Sequence, residues 1–197
     1  MKYKEYINKE LIEILKPYSA SKSMQDWEIS EIYNLAKASN NTIVEIGAYR
    51  GRSTIALALG NREGNKNKII SIDPFIAHGE VEQNKETCLR YWDRAKVRDE
   101  ITLIQDYSYN VNLNENIGFL LIDGEHTYEG VKNDYLKFSP LVEQGGFIAF
   151  HDFHLKGVKQ FFDEFIYPTL KDDFVEFRVV GSLIVIKKLK WRENENN

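Results

Sequence analysis

One stretch in the first third of the chain constrains the fold more than any other: residues 42–59, TIVEIGAYRGRSTIALAL. It begins with an apolar, β-branched run at 43–46, which is typical of a strand buried on both faces. Gly47 and Gly51 then bracket a tight turn, and the residues from Ser53 onward favour a helix. A strand, a glycine turn and a helix present bare backbone N–H groups at a helix N-terminus. Anions bind there, and glycine lets a ligand approach the main chain closely.

The spacing of the glycines narrows the kind of ligand. A dinucleotide fingerprint needs Gly-x-Gly-x-x-Gly, but this turn reads Glu-x-Gly-x-x-x-Gly. Tyr49 stands where the second glycine of the fingerprint belongs. The turn therefore argues against a pyrophosphate and favours a nucleoside ligand that carries a carboxylate tail.

The segment EIGAYRGRS, at residues 45–53, resembles the first motif of class I S-adenosylmethionine-dependent methyltransferases. The resemblance is closest to the small-molecule O-methyltransferases of the catechol type. It implies S-adenosylmethionine as the cofactor, and it places six residues of the motif at the cofactor: Glu45, Gly47, Ala48, Tyr49, Gly51 and Ser53. By itself, a single glycine turn is also compatible with any other α/β protein.

Composition argues against several other classes of protein. The formal net charge is -4 over 197 residues, so no basic surface for nucleic acid is expected. The one cysteine, Cys88, permits no intrachain disulfide and suits a reducing compartment. The N-terminus is charged throughout, and no segment has the length and apolarity of a membrane span. We therefore expect a cytoplasmic protein without a nucleic-acid or membrane partner, and the resemblance implies a small-molecule acceptor. A homo-oligomer is left open.

Strands and helices alternate along the rest of the chain, which predicts a parallel sheet with helices on both faces. The predicted strands cover 43–46, 68–72, 101–104, 117–122, 147–150, 174–180 and 183–188, and the predicted helices cover 4–16, 26–38, 53–59, 82–96, 127–138 and 156–167. Asp26 is the predicted N-cap of the second helix, and Pro17 is expected to end the first.

The last two strands are predicted to form a hairpin at Gly181 and Ser182. Class I methyltransferases have such an antiparallel seventh strand, whereas dehydrogenase Rossmann domains do not. The resemblance thus implies an α/β fold, a Rossmann-like seven-stranded methyltransferase sandwich. We expect one domain over residues 1–190, with a helical cap at 1–38, an α/β core at 42–188 and a disordered tail at 191–197.

Two further segments are candidates for cofactor contacts. Asp73 ends the second strand, where an α/β fold grips the hydroxyls of a ribose. The alternative is that Asp73 opens a turn before Pro74. In related methyltransferases the loop after the third strand contacts adenine, which implies roles for Asp106, Tyr107 and Ser108, although turns use Asp and Ser in any case.

The segments DGEHTYEGVKNDY and GGFIAFHDF are similar to a broad methyltransferase group that includes macrolide sugar O-methyltransferases and the cephalosporin hydroxylase type. Asp123 and Asp152 end neighbouring predicted strands, which lie ~4.8 Å apart. Two carboxylates so placed could share one divalent cation, and related enzymes bind Mg²⁺ in this way. Catechol-type enzymes have an amide side chain just after the second Asp, but here that residue is Phe153, so His151 or a water would complete the site. Alternatively, the two carboxylates cap helices or contact the cofactor without metal, a contact that Asp123 is expected to make.

His126 is the candidate general base. It lies three residues after Asp123, an offset at which catechol-type relatives have a lysine and macrolide sugar relatives a histidine. A neutral imidazole accepts a hydroxyl proton near pH 7. The sequence therefore predicts methyl transfer to a small-molecule hydroxyl. Two alternatives are a non-catalytic binding module on the same fold and, disfavoured by the glycine spacing and the hairpin, a nicotinamide oxidoreductase.

Overall fold

A computed structural model describes residues 7–18, 24–76, 81–169 and 174–188, without the side chains of 81–83 and 175–177. The chain begins with helix α1, Lys9–Leu15, where the Asn8 side chain accepts the Leu11 N–H at 3.1 Å. A 3₁₀ turn, Lys16–Tyr18, follows, so Pro17 ends the α-helix but not the helical path. The predicted tail at 191–197 lies outside the described residues.

Helix α2, Asp26–Ala38, does not begin as predicted. The N-cap is Gln25 rather than Asp26, because the Glu28 carboxylate reaches back and accepts the Gln25 backbone N–H at 2.7 Å. Asp26 is the first helical residue instead, and its carboxylate accepts a hydrogen bond from Arg52 at 3.0 Å. An acid in the first turn also complements the helix dipole.

The seven predicted strands are present and form one sheet, in the order β3-β2-β1-β4-β5-β7-β6. They are β1 Thr42–Ile46, β2 Ile69–Ile72, β3 Ile101–Ile104, β4 Ile117–Ile122, β5 Val142–Phe150, β6 Phe174–Val180 and β7 Leu183–Lys188. Strands β1 to β5 pair in parallel, and β7 runs antiparallel to both β5 and β6. The carboxyl ends of the five parallel strands therefore meet at one edge.

The remaining helices are α3 Arg52–Glu63, α4 Val81–Ala95, α5 Tyr128–Phe138 and α6 Lys156–Phe161. Helix α6 continues as a π-helical segment, Phe162–Ile166, and a 3₁₀ turn, Tyr167–Thr169. Among the residues that the structure describes, no helix has the length and apolarity needed to cross a membrane.

Two apolar clusters cover the two faces of the sheet. Because side chains alternate along a strand, Ile43 of β1 joins the cluster that contains α1 to α4, whereas Val44 joins the cluster of α5 and α6. All five residues of β1 are buried. The result is a three-layer α/β/α sandwich in which β1 is an interior strand, next to the central strand β4.

Strand β5 begins five residues before the predicted range of 147–150, so it includes Gly145 and Gly146. Its pairing with β4 shifts register between Ile117 and Phe119. Gly145 takes φ +79°, a conformation that glycine adopts without strain. The two glycines therefore accommodate an irregularity within the strand instead of marking its start.

Candidate active site

A cleft of about 550 Å³ opens at the carboxyl ends of the parallel strands. Eight of the residues predicted from the sequence line it: Gly47, Tyr49, Asp73, Tyr107, Ser108, Asp123, His126 and Asp152. They come from the ends of β1, β2, β4 and β5 and from the loop after β3. The structure thus brings residues from separate motifs to the walls of one cavity.

The two glycines of the β1–α3 turn are required mainly because a side chain at either position would collide with neighbouring protein atoms. Gly47 takes φ +95°, and a Cβ there would lie 2.1 Å from the Asp123 carbonyl oxygen. Gly51 takes φ +81°, and its Cβ would lie 2.4 Å from Nε1 of Trp92 in α4. The room that the sequence assigned to a ligand is therefore filled by protein at these two Cβ positions. Gly47 still lines the cleft, but Gly51 packs against α4.

Glu45 lies beneath this turn and is fully buried. Its carboxylate accepts hydrogen bonds from three hydroxyls, those of Ser53, Thr54 and Ser71, each at 2.6 Å. Burial outweighs these bonds and raises the pKa of Glu45 to about 7. Glu45 and Ser53 therefore tie the first turn of α3 to β1 and β2, and the position of Glu45 does not support the predicted contact with a cofactor.

A small cavity of about 20 Å³, enough for one water, adjoins the cleft. Ala48 and Ser53 line it together with Gly47, Tyr49 and Asp123, which also line the cleft. Ala48 and Ser53 thus lie next to the cleft rather than in its main wall.

The position of Asp73 is compatible with both roles that the sequence offered for it. Its carboxylate accepts the Tyr49 N–H at 2.6 Å and the Phe75 N–H at 2.5 Å, so it ties the turn after β1 to the turn at Pro74. Burial raises the pKa of Asp73, and the backbone N–H groups of Tyr49, Phe75 and Ala48 oppose this shift only in part. The side chain also lines the cleft, and a carboxylate has about four lone-pair sites, so it can still accept a hydrogen bond from a ligand.

Of the three residues predicted in the loop after β3, two line the cleft and one does not. Tyr107 and Ser108 line the cleft, and the Tyr107 ring stacks on Tyr109 with centroids 5.0 Å apart. Asp106 instead accepts the Tyr107 N–H at 2.7 Å and the Asn110 side-chain amide at 2.8 Å. For Asp106, these contacts support the turn role rather than the predicted contact with adenine.

Asp134 was not predicted from the sequence, but it is 5% exposed and lines the cleft from α5. Its carboxylate accepts a hydrogen bond from Ser108, yet burial outweighs this bond and raises the pKa of Asp134 to about 6. A signal was present in the spacing. Gly130, Asn133 and Asp134 stand at i, i+3 and i+4, which places them on one face of a helix.

The ends of β4 and β5 bring Asp123, His126 and Asp152 together. One ligand atom from each of the three lies within 4.8 Å of the others. Nε2 of His126 is 3.4 Å from Asp123 and 3.5 Å from Asp152. The hydrogen bond to Asp123 raises the pKa of His126, with burial acting in the opposite direction. Asp152 takes φ +57°, a strained conformation for a non-glycine residue and one that clusters at functional sites.

His151 lies behind this cluster, and its side chain is fully buried. Nδ1 is 3.1 Å from Asp123 and 3.5 Å from Asp152. Nε2 is 3.2 Å from the Ser182 hydroxyl and 3.4 Å from Glu28. Burial opposes a charge here, but the hydrogen bonds to the three carboxylates outweigh it and raise the pKa of His151 to about 12.

This arrangement argues against His151 as a metal ligand. A ligand must offer a ring lone pair, but carboxylates only accept, so the ring nitrogens of His151 donate to them. Phe153, which follows the second Asp, packs on Phe162 with ring centroids 5.5 Å apart. His126, predicted as a general base, instead occupies the position beside Asp123 and Asp152 at which the sequence placed His151 as a metal ligand.

The residues present fit both groups that the resemblance implies. Ligands of one Mg²⁺ at ~2.1 Å lie up to ~4.2 Å apart, so small side-chain rotations would bring the Asp123, His126 and Asp152 atoms into range. Two hard carboxylates suit such an ion. The cleft also has an acid after β2, at the position that grips a ribose in open α/β sheets.

The sheet order, the antiparallel β7 and a cleft at the strand ends together define a Rossmann-like methyltransferase fold. Residues 44–153 match the family described as "Methyltransferase domain". Because this match covers more than half of the 197 residues, the chain belongs to that family.

An uncharacterised protein of Acanthamoeba polyphaga mimivirus is 30% identical to this chain over 132 residues. The match covers 64% of this chain and 57% of the viral protein. The chain thus spans less than two thirds of that relative's length.

Solved structures agree on the fold. The O-methyltransferase NovP superposes with a TM-score of 0.68 at 15% identity, over 82% of this chain and 79% of its own. A TDP-rhamnose 3′-O-methyltransferase of calicheamicin biosynthesis gives 0.64 at 16%, over 91% and 86%. TomG of Streptomyces achromogenes, an O-methyltransferase solved with S-adenosylmethionine, gives 0.64 at 11%, over 92% and 89%.

Proposed function

We propose that this protein transfers a methyl group from S-adenosylmethionine to a hydroxyl oxygen of a small-molecule acceptor. The observation that carries the proposal is the grouping of Asp123, His126 and Asp152 in the same cleft that Asp73 lines. Membership of the methyltransferase family supports the reaction, and the neighbour solved with S-adenosylmethionine supports the cofactor.

The cofactor half of the proposed site comprises the ends of β1, β2 and β3. Asp73 accepts the ribose hydroxyls with its free lone pairs while its N–H donors keep it oriented. Tyr107 and Ser108 face the adenine, and Asp134 supplies a further buried acceptor beside Ser108. The turn at Gly47 and Tyr49 lies between these contacts and Asp123.

The reaction half comprises the ends of β4 and β5. When bound, S-adenosylmethionine supplies an electrophilic methyl group, and Mg²⁺ supplies positive charge that lowers the pKa of the acceptor hydroxyl. Asp123 and Asp152 would hold the ion. His126 takes the hydroxyl proton at Nε2, where the two nearby carboxylates stabilise the imidazolium that forms.

Nε2 of His126 has two conceivable roles, general base and metal ligand, and they exclude each other. A lone pair that coordinates a metal does not accept a proton at the same time. We assign the base role because His126 lines the cleft and 38% of its side chain is exposed, so an acceptor in the cleft can approach the ring. The metal role predicts instead that His126→Ala lowers metal affinity as strongly as Asp152→Asn does.

Calorimetry and a turnover assay test the proposal. We expect S-adenosylhomocysteine to bind and NAD to give no heat of binding; the reverse result would contradict the proposed cofactor. Transfer of a labelled methyl group from S-adenosylmethionine is then measured against a library of hydroxylated acceptors, with and without EDTA. Cofactor binding without turnover of any acceptor would favour a non-catalytic module.

His154→Ala is the matched control for His126→Ala. His154 lies at the same edge of the sheet, 3.8 Å from Asp152, with 64% of its side chain exposed. We expect turnover to fall in His126→Ala and to remain near the wild-type value in His154→Ala. Equal losses in both variants would argue against His126 as the base.

A further inference from the structure

Glu28 is a buried carboxylate that the proposed reaction does not use. It lies in the first turn of α2, it is 1% exposed, and it is remote in sequence from every motif of the cleft. One carboxylate oxygen accepts both the backbone N–H and the hydroxyl of Ser182, at 2.5 and 2.8 Å. The other accepts the Gln25 N–H at 2.7 Å and faces Nε2 of His151 at 3.4 Å.

The turn between β6 and β7 packs closely against the Glu28 carboxylate. Gly181 takes φ +63°, and a Cβ there would lie 2.5 Å from Oε1 of Glu28. The adjoining residue, Ser182, places its hydroxyl 3.2 Å from Nε2 of His151. Helix α2, the hairpin turn and the end of β5 therefore meet at the buried side of one imidazole ring.

The opposite side of that ring faces the candidate active site. Nδ1 of His151 is 3.1 Å from Asp123 and 3.5 Å from Asp152. Fixing Nε2 against Glu28 and Ser182 fixes the ring, since the imidazole is rigid and planar. A fixed ring in turn orients both carboxylates of the cleft from behind.

We propose that Glu28 is a positioning residue for the active site, acting through His151 to hold Asp123 and Asp152 in place. The inference rests on the proposed function for its catalytic meaning. Hydrogen-bonded partners of this kind, one step removed from a metal or a reacting group, typically change metal affinity or activity ~10–100-fold when they are removed.

The test replaces Glu28 and measures how this change affects metal binding by Asp123 and Asp152 and the state of the His151 ring. Glu28→Gln keeps the size of the side chain but turns an amide NH₂ toward groups that are themselves donors. Glu31→Gln is the control, because Glu31 lies on the same helix and pairs with Arg178 of β6 at 2.7 Å, so its loss also weakens the contact of α2 with the hairpin. For each protein we measure Mn²⁺ affinity by electron paramagnetic resonance, S-adenosylhomocysteine affinity by calorimetry, and the His151 ring ¹⁵N signals by NMR.

We expect Mn²⁺ affinity to fall ~10–100-fold in Glu28→Gln and by less than about twofold in Glu31→Gln. S-adenosylhomocysteine affinity should change by less than about threefold in both, and only Glu28→Gln should shift the His151 ring signals. If Glu28→Gln fails to fold, Ser182→Ala removes a hydroxyl that contacts both Glu28 and His151, and should shift the same signals. Unchanged ring signals and unchanged Mn²⁺ affinity would overturn the inference.

Failure of the proposed function gives a different pattern. A wild-type protein that binds no S-adenosylhomocysteine would contradict the proposed cofactor, and one that binds no Mn²⁺ would contradict the metal. In either case the His151 ring signals of Glu28→Gln still decide whether Glu28 fixes the ring. Ring signals that stay at their wild-type positions in that variant would refute the positioning role on their own.

Discussion

Glu45→Gln isolates the contribution of one buried carboxyl group to the pH dependence of stability. The pKa of Glu45 is raised from 4.5 to about 7 by burial. Between these values the folded protein keeps a proton that the unfolded chain releases, so the free energy of unfolding falls as pH rises through this window. At about 1.36 kcal/mol per pH unit, the loss is roughly 3 kcal/mol.

Glutamine removes this titration but keeps much of the local hydrogen bonding. Its carbonyl oxygen accepts from one hydroxyl, and its NH₂ group can donate to others, because each of the three hydroxyls can also accept. The difference in unfolding free energy between wild type and variant should therefore change by roughly 3 kcal/mol from pH 4.5 to pH 8, in favour of the variant at high pH.

Urea unfolding followed by tryptophan fluorescence at several pH values measures this difference. Glu13→Gln is the control, since Glu13 is exposed and pairs with Lys16 on the surface. Its pH profile should run parallel to that of the wild type. If the Glu45→Gln profile also runs parallel, within about 0.5 kcal/mol, the three hydroxyls keep Glu45 ionised and the reasoning from burial is wrong.

Three further predictions concern the cleft. Asp73→Ala leaves two backbone N–H donors without their acceptor and should lower the stability of the protein by roughly 1–3 kcal/mol for each donor. It should also lower the affinity for S-adenosylmethionine, measured by calorimetry. Normal affinity would remove Asp73 from the cofactor site. Gly47→Ala should reduce the melting temperature far more than Gly145→Ala, because both glycines have positive φ but a Cβ at Gly145 meets nothing within 4 Å. Equal losses would show that backbone strain, and not the close contact at Gly47, determines the loss of stability. His126→Ala should lower turnover ~10²–10⁴-fold, and wild-type activity should rise with pH as the His126 imidazolium loses its proton; a flat pH profile would contradict the base role.

The sheet and the location of the cleft followed from local patterns in the sequence. Strand periodicity, the glycine turn and the terminal hairpin fixed the order of elements, and polar residues just after buried strands marked the edge where a ligand would bind. Asp73, Asp123 and Asp152 were placed at that edge for this reason, and they line the cleft. Parallel strands align their carboxyl ends whatever the details of packing.

Side-chain direction near the strand ends did not follow from the sequence. His151 and His126 flank the same carboxylates, but His151 points inward because Glu28, 123 residues earlier, and Ser182 of the hairpin hold its ring. The enclosure of Glu45 likewise depends on Ser71, 26 residues away. Contacts over such distances leave no periodic signal in the chain, so the sequence placed His151 beside the two carboxylates but could not show that its ring faces inward.

The charges around His151 explain why a cation suits the cleft. Three carboxylates, those of Glu28, Asp123 and Asp152, surround one imidazole. Burial works against ionisation of Glu28 and Asp152, but the hydrogen bonds from His151 hold the pKa of each below its usual range. With His151 protonated and all three carboxylates ionised, the group keeps two net negative charges, and two of its carboxylates face the cleft. A divalent cation or a protonated His126 offsets that charge, so the arrangement that orients Asp123 and Asp152 also favours positive charge where, in the proposed reaction, the methyl acceptor would lose its proton.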